Sequence, residues 1–305
     1  MTLSSSIFFT LLYGDIFQYP YTEDELIAWL PEKKWTRKAV QKQLRYLLKR
    51  KKIFYAEPFY CIRGHMKHIK TRLEREQEAL GKWKKAEFAA SLLRFIPTIT
   101  LVGITGGLSN FNADKEDDID FYIGTKPGTL WISRLLATLI METAGIRRHP
   151  EDKEVKDVIC LNMFVSESSF TVSKGERDMF SAHEVLQMKP LWERGSAYTI
   201  FFKKNRWASS VFPNKWKEII HQLKRKKKMV PRYGQFQFAT QLLRFLEKPS
   251  NKIQLWYMKK RRTSEVLSDT VIRFHPHDAR LRIQTLLRSN IKRYHLPLDK
   301  IFFRT

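Results

Sequence analysis

Two apolar stretches, residues 98–103 and 119–123, together with the short segment between them, constrain the fold more than any other part of the sequence. Both stretches are rich in the β-branched and aromatic residues that favour strands. Between them lies a turn with two consecutive glycines, Gly106 and Gly107. Glycines in such a turn let backbone N–H groups approach an anion closely. The segment therefore predicts a strand, a phosphate-binding turn and a second strand, with the hydroxyl of Ser109 as a further donor.

Two aspartates, Asp118 and Asp120, lie at the start of the second stretch. Strand side chains alternate with a period of two, so both carboxylates are expected on one face while Ile119 and Phe121 point into the core. Mg²⁺ prefers oxygen ligands, and two such ions can hold both the attacking and the leaving oxygen of a phosphoryl transfer. Paired carboxylates beside a phosphate-binding turn therefore predict Mg²⁺-dependent phosphoryl or nucleotidyl transfer, with both aspartates as metal ligands.

This combination of an apolar strand, two glycines and an Asp-apolar-Asp-apolar run resembles the signature of the nucleotidyltransferase superfamily typified by DNA polymerase beta, including its minimal nucleotidyltransferases. The resemblance implies that Gly106 and Gly107 hold a nucleoside triphosphate (NTP) and that Asp118 and Asp120 hold the metal ions. The whole chain also resembles a prokaryotic group that joins a winged-helix-like N-terminus to this domain. The segments that carry this second resemblance are residues 12–17, 160–164, 182–190 and 274–276.

One position departs from the pattern of the superfamily, which usually offers a third carboxylate on the next strand. That strand is predicted at residues 158–165, and Asn162 occupies the candidate position. Asparagine can bind Mg²⁺ through its carbonyl oxygen, but it cannot serve as a carboxylate base. Asp157, at the edge of the strand, is the alternative candidate. A catalytic domain that uses Asn162 and a degenerate domain that only senses nucleotide therefore both stay open.

The N-terminal residues predict three short helices followed by a hairpin. Thr22 and Glu25 form a capping box that opens the second helix, and the third helix is expected to start near Thr36. The hairpin is expected at residues 53–62. This order is typical of a winged helix-turn-helix, and the basic residues off the apolar face of its recognition helix are Arg37, Lys38, Lys42 and Arg45. Such modules contact nucleic acid, contact other proteins or act as spacers, and these alternatives stay open.

The predicted fold class is α+β. We expect a winged-helix-like domain at residues 1–65, a linker helix at 66–96, a small α/β nucleotidyltransferase-like domain with a mixed sheet at 97–178, and a basic helical C-terminal domain at 179–305. In the last of these, Ser181 and Glu184 read as a second capping box.

The charge of the chain is strongly positive and uneven. The formal net charge is +25, of which residues 1–95 carry +9, residues 96–202 carry −4 and residues 203–305 carry +20. This arrangement of basic ends around an acidic centre is typical of a catalytic or sensing core that lies between surfaces that attract a polyanion. Nucleic acid is therefore an expected partner, although lysines and arginines that only coat solvated helices are the simpler alternative.

The cysteine content and the distribution of apolar residues limit the class of protein. Cys61 and Cys160 are the only cysteines and lie far apart without CxxC or CxxxxC spacing, so the sequence predicts neither a disulfide scaffold nor a structural zinc site. No run of about 18 apolar residues predicts a membrane span. We expect a cytoplasmic protein without a membrane partner.

The leading hypothesis is a Mg²⁺-dependent nucleotidyltransferase that moves a nucleoside monophosphate from an NTP to a hydroxyl, with nucleic acid as one candidate acceptor and a small molecule, glycan or protein as others. The rival is a non-catalytic winged-helix nucleic-acid-binding protein whose central domain only senses nucleotide.

Two histidine groups are weaker candidates for function. His65 and His68 have the i, i+3 spacing of helical metal ligands, yet surface histidines beside a basic helix are more simply solvated. The His275-Pro-His277-Asp278 run is favoured as a structural turn.

Overall fold

A computed structural model of the chain describes residues 1–149, 151–225, 237–259, 266–273 and 279–296. It confirms a mixed α+β protein with a mixed sheet. The His275–Asp278 run, residues 274–276 and parts of two of the basic clusters, at residues 224–228 and 259–262, lie outside the described residues.

The N-terminal residues form three helices and a small antiparallel sheet. In chain order the elements are α1 (Leu3–Ile16), β1 (Tyr21–Thr22), α2 (Glu23–Ala28), α3 (Arg37–Lys49), β2 (Ile53–Ala56) and β3 (Phe59–Ile62), and the sheet order is β1-β3-β2. The predicted capping box of Thr22 and Glu25 is present, and Thr36 caps α3. Both helix starts were readable because capping depends on residues only three apart.

A single long helix, α4 (Lys67–Leu93), fills the stretch predicted as a linker. It does more than connect, because its alanines and Leu93 are buried against the central sheet. The buried residues of α4 also include two charged ones, Arg72 and Lys82, which are 4% and 2% exposed.

The central sheet has six strands in the order β7-β4-β5-β6-β9-β8. These are β4 (Ile99–Ile104), β5 (Ile119–Thr125), β6 (Ile159–Ser166), β7 (Lys189–Glu193), β8 (Val266–Leu267) and β9 (Val271–Arg273). Strands β5 and β6 are parallel and are joined through α5 (Leu130–Thr143), while the other described pairs are antiparallel. One face packs on α4, α5 and α11 (Glu247–Met258), and the other faces α6 (Met179–Gln187) and the N-terminal core.

The C-terminal region differs from the expectation of a purely helical domain. Strands β7, β8 and β9 all lie beyond residue 178 and complete the central sheet. The described helices there, besides α6 and α11, are α7 (Ala197–Lys204), α8 (Ala208–Val211), α9 (Pro213–Arg225), α10 (Gln237–Phe245) and α12 (Ala279–Arg293). The second capping box is also displaced: Asp178 caps α6 and Ser181 closes the box.

Across the described ranges, no helix combines the length and apolar character that crossing a membrane requires.

Candidate functional site

The glycine turn follows β4 directly and lies against Asp120. Gly106 has φ +64° and ψ −156°, a combination that only glycine adopts readily. A Cβ atom on Gly106 would lie 3.2 Å from Asp120 Oδ2, and one on Gly107 would lie 2.8 Å from the backbone oxygen of Asn112. Both glycines are therefore required by the backbone, and the turn and the carboxylate form one site.

Ser109 has a different role from the one predicted. It is fully buried, and its hydroxyl donates to the carbonyl oxygen of Gly106 at 2.7 Å. Its backbone N–H donates to the same oxygen at 3.2 Å. A hydroxyl used in this way shapes the turn and does not face a ligand.

Asp118 and Asp120 come together as predicted, with Cys160 beside them. One carboxylate oxygen of each aspartate and the Cys160 sulfur all lie within 4.8 Å of one another. Burial, and then the charge of Asp118, raise the pKa of Asp120 to about 7. Two carboxylates this close repel each other, so a bound cation would stabilise the ionised pair.

Asn162 lies in the same cluster, as the sequence predicted. Its Nδ2 donates to Asp120 Oδ1 at 3.2 Å. The pairing of β5 with β6 is irregular, because β6 has one extra residue between the partners of Asp120 and Tyr122. This bulge brings both Cys160 and Asn162 next to Asp120. Asn162 Oδ1 is buried and has no hydrogen-bond partner among the residues that the structure describes. An orphaned buried acceptor is costly unless a ligand satisfies it.

These donors fit Mg²⁺. The two carboxylates are hard oxygen ligands of the kind that Mg²⁺ prefers, and the unpaired Oδ1 of Asn162 belongs to an amide group that contacts Asp120 through its Nδ2. In the metal-free fold, burial and the charges of both aspartates raise the pKa of the nearby Cys160 thiol far above its ordinary range. The thiolate is the metal-binding form, so without a metal ion this cysteine is a neutral neighbour of the two carboxylates.

Two functional candidates escaped the sequence analysis, and the first is Arg148. Its guanidinium bonds to the carboxylate of Asp118 and lies 3.9 Å from the Cys160 sulfur. The Arg148 backbone N–H donates to the carbonyl oxygen of Ile159, the first residue of β6, which fixes the base of the side chain. The Arg148 side chain is 40% exposed, so part of the guanidinium faces solvent at the site.

The second is Glu184 on α6, which the sequence indicated only as a cap. Burial, and then the charge of Asp120, raise the pKa of Glu184 to about 7. Gln187 donates to Glu184 at 2.5 Å and accepts from Asn110 of the glycine turn at 2.8 Å. Glu184 is thus a buried carboxyl group whose charge interacts with that of Asp120, and it lies on α6 and not on β6.

Asp157, the alternative third carboxylate, is occupied elsewhere. Its two oxygens accept hydrogen bonds from Lys82 at 2.8 Å and from Lys85 at 2.7 Å. Both lysines belong to α4, which packs on the opposite face of the sheet from α6. Asp157 is therefore a structural ion-pair partner.

If the glycine turn binds a nucleotide, Gly106→Ala is expected to weaken binding of a Mg²⁺-NTP by at least about tenfold and to destabilise the fold by about 1–3 kcal/mol, because alanine strains this backbone and crowds Asp120. Gly128→Ala is the matched control: Gly128 also has positive φ (+70°), but a Cβ there meets nothing within 4 Å. We expect Gly128→Ala to lower stability alone. Isothermal titration and chemical denaturation measure both effects, and equal nucleotide affinity in the two variants would contradict the assignment of the turn.

Searches against family models, curated proteins and solved structures found no match to this chain. The interpretation of the site therefore rests on its own geometry and chemistry.

Proposed function

We propose that the protein is a Mg²⁺-dependent nucleotidyltransferase that moves a nucleoside monophosphate from an NTP to a hydroxyl acceptor. One observation carries the proposal: a turn whose backbone only glycine adopts lies directly against Asp120, in a cluster where Asp118 converges and the buried oxygen of Asn162 lacks a partner among the described residues. A phosphate cradle beside a hard oxygen donor set is what phosphoryl-type transfer requires.

In this proposal the chain positions the NTP and manages one proton. The backbone N–H groups of the Gly106-Gly107 turn, together with Arg148, hold the triphosphate. Asp118, Asp120 and Asn162 would hold Mg²⁺, which would supply neutralisation of the negative charge that develops during transfer. The acceptor oxygen bonds to the α-phosphorus as the bond to pyrophosphate breaks.

Glu184 accepts the proton that the hydroxyl loses. A carboxyl group with a pKa of about 7 is well matched to that task near neutral pH.

The N-terminal domain supports a nucleic-acid partner. We infer a winged helix from the α1-β1-α2-α3-β2-β3 order and the β1-β3-β2 sheet. Lys38, Lys42 and Arg45 are exposed on α3 as the sequence predicted. Arg37 differs, because its guanidinium is held by Glu23 and Asp24. The exposed cations supply charge for phosphate contacts.

The test is transfer of a labelled nucleotide. The purified full chain, incubated with each α-labelled NTP, Mg²⁺ and a cell extract, is expected to label an acceptor that ribonuclease, deoxyribonuclease or protease treatment then classifies. Asp118→Ala/Asp120→Ala should abolish the label, whereas Asp269→Ala, at an exposed aspartate far along the sheet, should retain it. Absence of label with Mg²⁺ and with Mn²⁺ would overturn the enzyme proposal.

A second candidate is a nucleotide-sensing domain that does not catalyse transfer. The favouring observation is that Arg148 already neutralises Asp118 and that Asn162 stands where a carboxylate is expected. This candidate predicts Mg²⁺-NTP binding and salt-sensitive nucleic-acid binding without label. A steep fall of nucleic-acid affinity with salt concentration would mark phosphate contacts.

A further inference from the structure

A second cluster of metal-binding side chains lies in the N-terminal domain, apart from the aspartate site. Asp15 is near the end of α1, His65 follows β3, and His68 is in the first turn of α4. One carboxylate oxygen of Asp15 lies 2.6 Å from His65 Nδ1 and 3.0 Å from His68 Nδ1. Three residues from two distant parts of the chain thus point their ligand atoms at one place, with all three atoms within 4.8 Å of one another.

The two histidines are not the solvated surface residues that their sequence context favours. His68 is 7% exposed, and the side chain of His65 is about one-third exposed. Burial lowers the pKa of His68, against the opposing charge of Asp15. The fold holds both imidazoles with their Nδ1 atoms facing the same carboxylate oxygen of Asp15.

The distances fit a small divalent ion after a slight opening of the cluster. Zinc bonds of about 2.0–2.2 Å separate the ligand atoms of a tetrahedral site by about 3.3 Å. The two imidazole nitrogens are 2.6 and 3.0 Å from the shared oxygen, so a shift of well under 1 Å at each would admit the ion. Two nitrogens and one oxygen suit zinc better than Mg²⁺, which prefers oxygen ligands alone.

We propose that Asp15, His65 and His68 bind one Zn²⁺-class divalent cation, with the fourth position open to solvent at the partly exposed His65. Bound there, the ion fastens the end of α1 to the start of α4.

This position has a structural consequence for the nucleotide site. Two residues beyond Asp15, the carbonyl oxygen of Phe17 accepts hydrogen bonds from Asn112 at 2.9 Å and from Arg75 on α4 at 3.0 Å. The Asn112 backbone N–H in turn donates to the carbonyl oxygen of Gly107 at 2.9 Å. An ion that fixes α1 against α4 therefore steadies the junction on which the glycine turn rests.

The experiment must separate this cluster from the aspartate site, which also holds carboxylates and a thiol. We therefore choose Asp118→Asn/Cys160→Ser as the background, dialyse the full-length protein against a chelator and titrate Zn²⁺ in the presence of millimolar Mg²⁺. Competition with a chromogenic chelator gives stoichiometry and affinity, and Co²⁺ in place of Zn²⁺ reports the coordination geometry through its visible absorption.

We expect one Zn²⁺ per chain in the background protein, a tetrahedral Co²⁺ spectrum and a Zn²⁺-dependent rise in Tm. Adding Asp15→Asn or His65→Ala should lower the affinity at least about tenfold, since even the loss of an outer partner of a metal ligand costs that much. Adding His221→Ala, at an exposed histidine on α9, should change nothing.

Asp15→Asn guards against a folding artefact, because the asparagine oxygen can still accept from both imidazoles while the charge is lost. The proposal is overturned if the background protein binds no Zn²⁺. It is equally overturned if Asp15→Asn and His65→Ala bind Zn²⁺ as tightly as His221→Ala. Neither result bears on nucleotide transfer, which is tested separately.

Discussion

Asp120→Asn is expected to abolish nucleotide transfer and at the same time to stabilise the folded protein at pH 8. Asparagine keeps the shape of the side chain and an oxygen that can accept from Asn162, but it removes the charge that Mg²⁺ needs. We expect transfer to fall by at least about a hundredfold, since losing one group that stabilises transition-state charge costs about a hundred- to a thousandfold. Stability rises because a partly buried carboxylate that repels Asp118 is gone.

The sign of the pH dependence follows from the raised pKa. Asp120 has a pKa of about 7 in the fold and about 3.9 in the unfolded chain. Between these values the folded state binds more protons than the unfolded state, so the contribution of Asp120 to stability is largest at low pH and is lost as the pH rises toward 7. At about 1.4 kcal/mol per pKa unit, the loss is roughly 2–4 kcal/mol.

Chemical denaturation at pH 5 and pH 8 measures this pH-dependent contribution of Asp120 to stability. Asp120→Asn should exceed the parent protein in unfolding free energy at pH 8 and approach it at pH 5, and Mg²⁺ should stabilise only the parent. Asp269→Asn, at an exposed aspartate with no resolved interaction with the site, should follow the parent at both pH values. If Asp120→Asn keeps transfer activity, or if it is less stable than the parent protein at pH 8, the role given to Asp120 is contradicted.

The part of the site that could be predicted is the part made by neighbours in sequence. Gly106 and Gly107 were readable because a turn between two strands depends on a few adjacent residues. Asp118 and Asp120 were readable because strand side chains alternate. The start of α3 at Thr36 followed from the same local logic.

The rest depends on packing between distant segments. The charge of Glu184 acts on Asp120 only because α6 packs on one face of the sheet, and Arg148 reaches Asp118 only because its backbone pairs with the start of β6. The strand β7 contains Pro190 and both charged and apolar residues, which weakens its period-two pattern. No short-range rule distinguishes these residues from ordinary surface positions.

The importance of Lys82 is visible only in the folded structure. Its replacement is the second change for which we expect a large effect, in this case a loss of stability. In sequence it is one lysine among several in a charged helix. In the structure its ammonium group donates to the carbonyl oxygens of Lys115 and Asp117, at 3.0 and 2.6 Å, and to Asp157 at 2.8 Å. All three of its protons are used, and they hold the loop that leads into Asp118.

Lys82→Met should destabilise the fold by about 3 kcal/mol, because it leaves two carbonyl oxygens and one carboxylate oxygen without their buried donor. Lys85→Met is the matched control: it bonds to the other oxygen of the same Asp157 at 2.7 Å, but its side chain is 56% exposed. An exposed pair of this kind is worth at most about 1 kcal/mol. Urea denaturation of the two variants at pH 7 should therefore give clearly different losses.

Comparing Lys82→Met with Lys85→Met at low pH tests whether the ion pair with Asp157 contributes to the loss of stability. Burial alone would raise the pKa of Asp157, but the hydrogen bonds from Lys82 and Lys85 outweigh it and hold the pKa below its ordinary value. The ion pair therefore stabilises the fold above the unfolded pKa of about 3.9 and loses its effect as the pH falls through the folded value. The deficit of Lys82→Met should shrink toward pH 3 without vanishing, because the two carbonyl oxygens do not titrate. Equal losses in Lys82→Met and Lys85→Met at pH 7 would show that burial of Lys82 does not anchor the loop before Asp118.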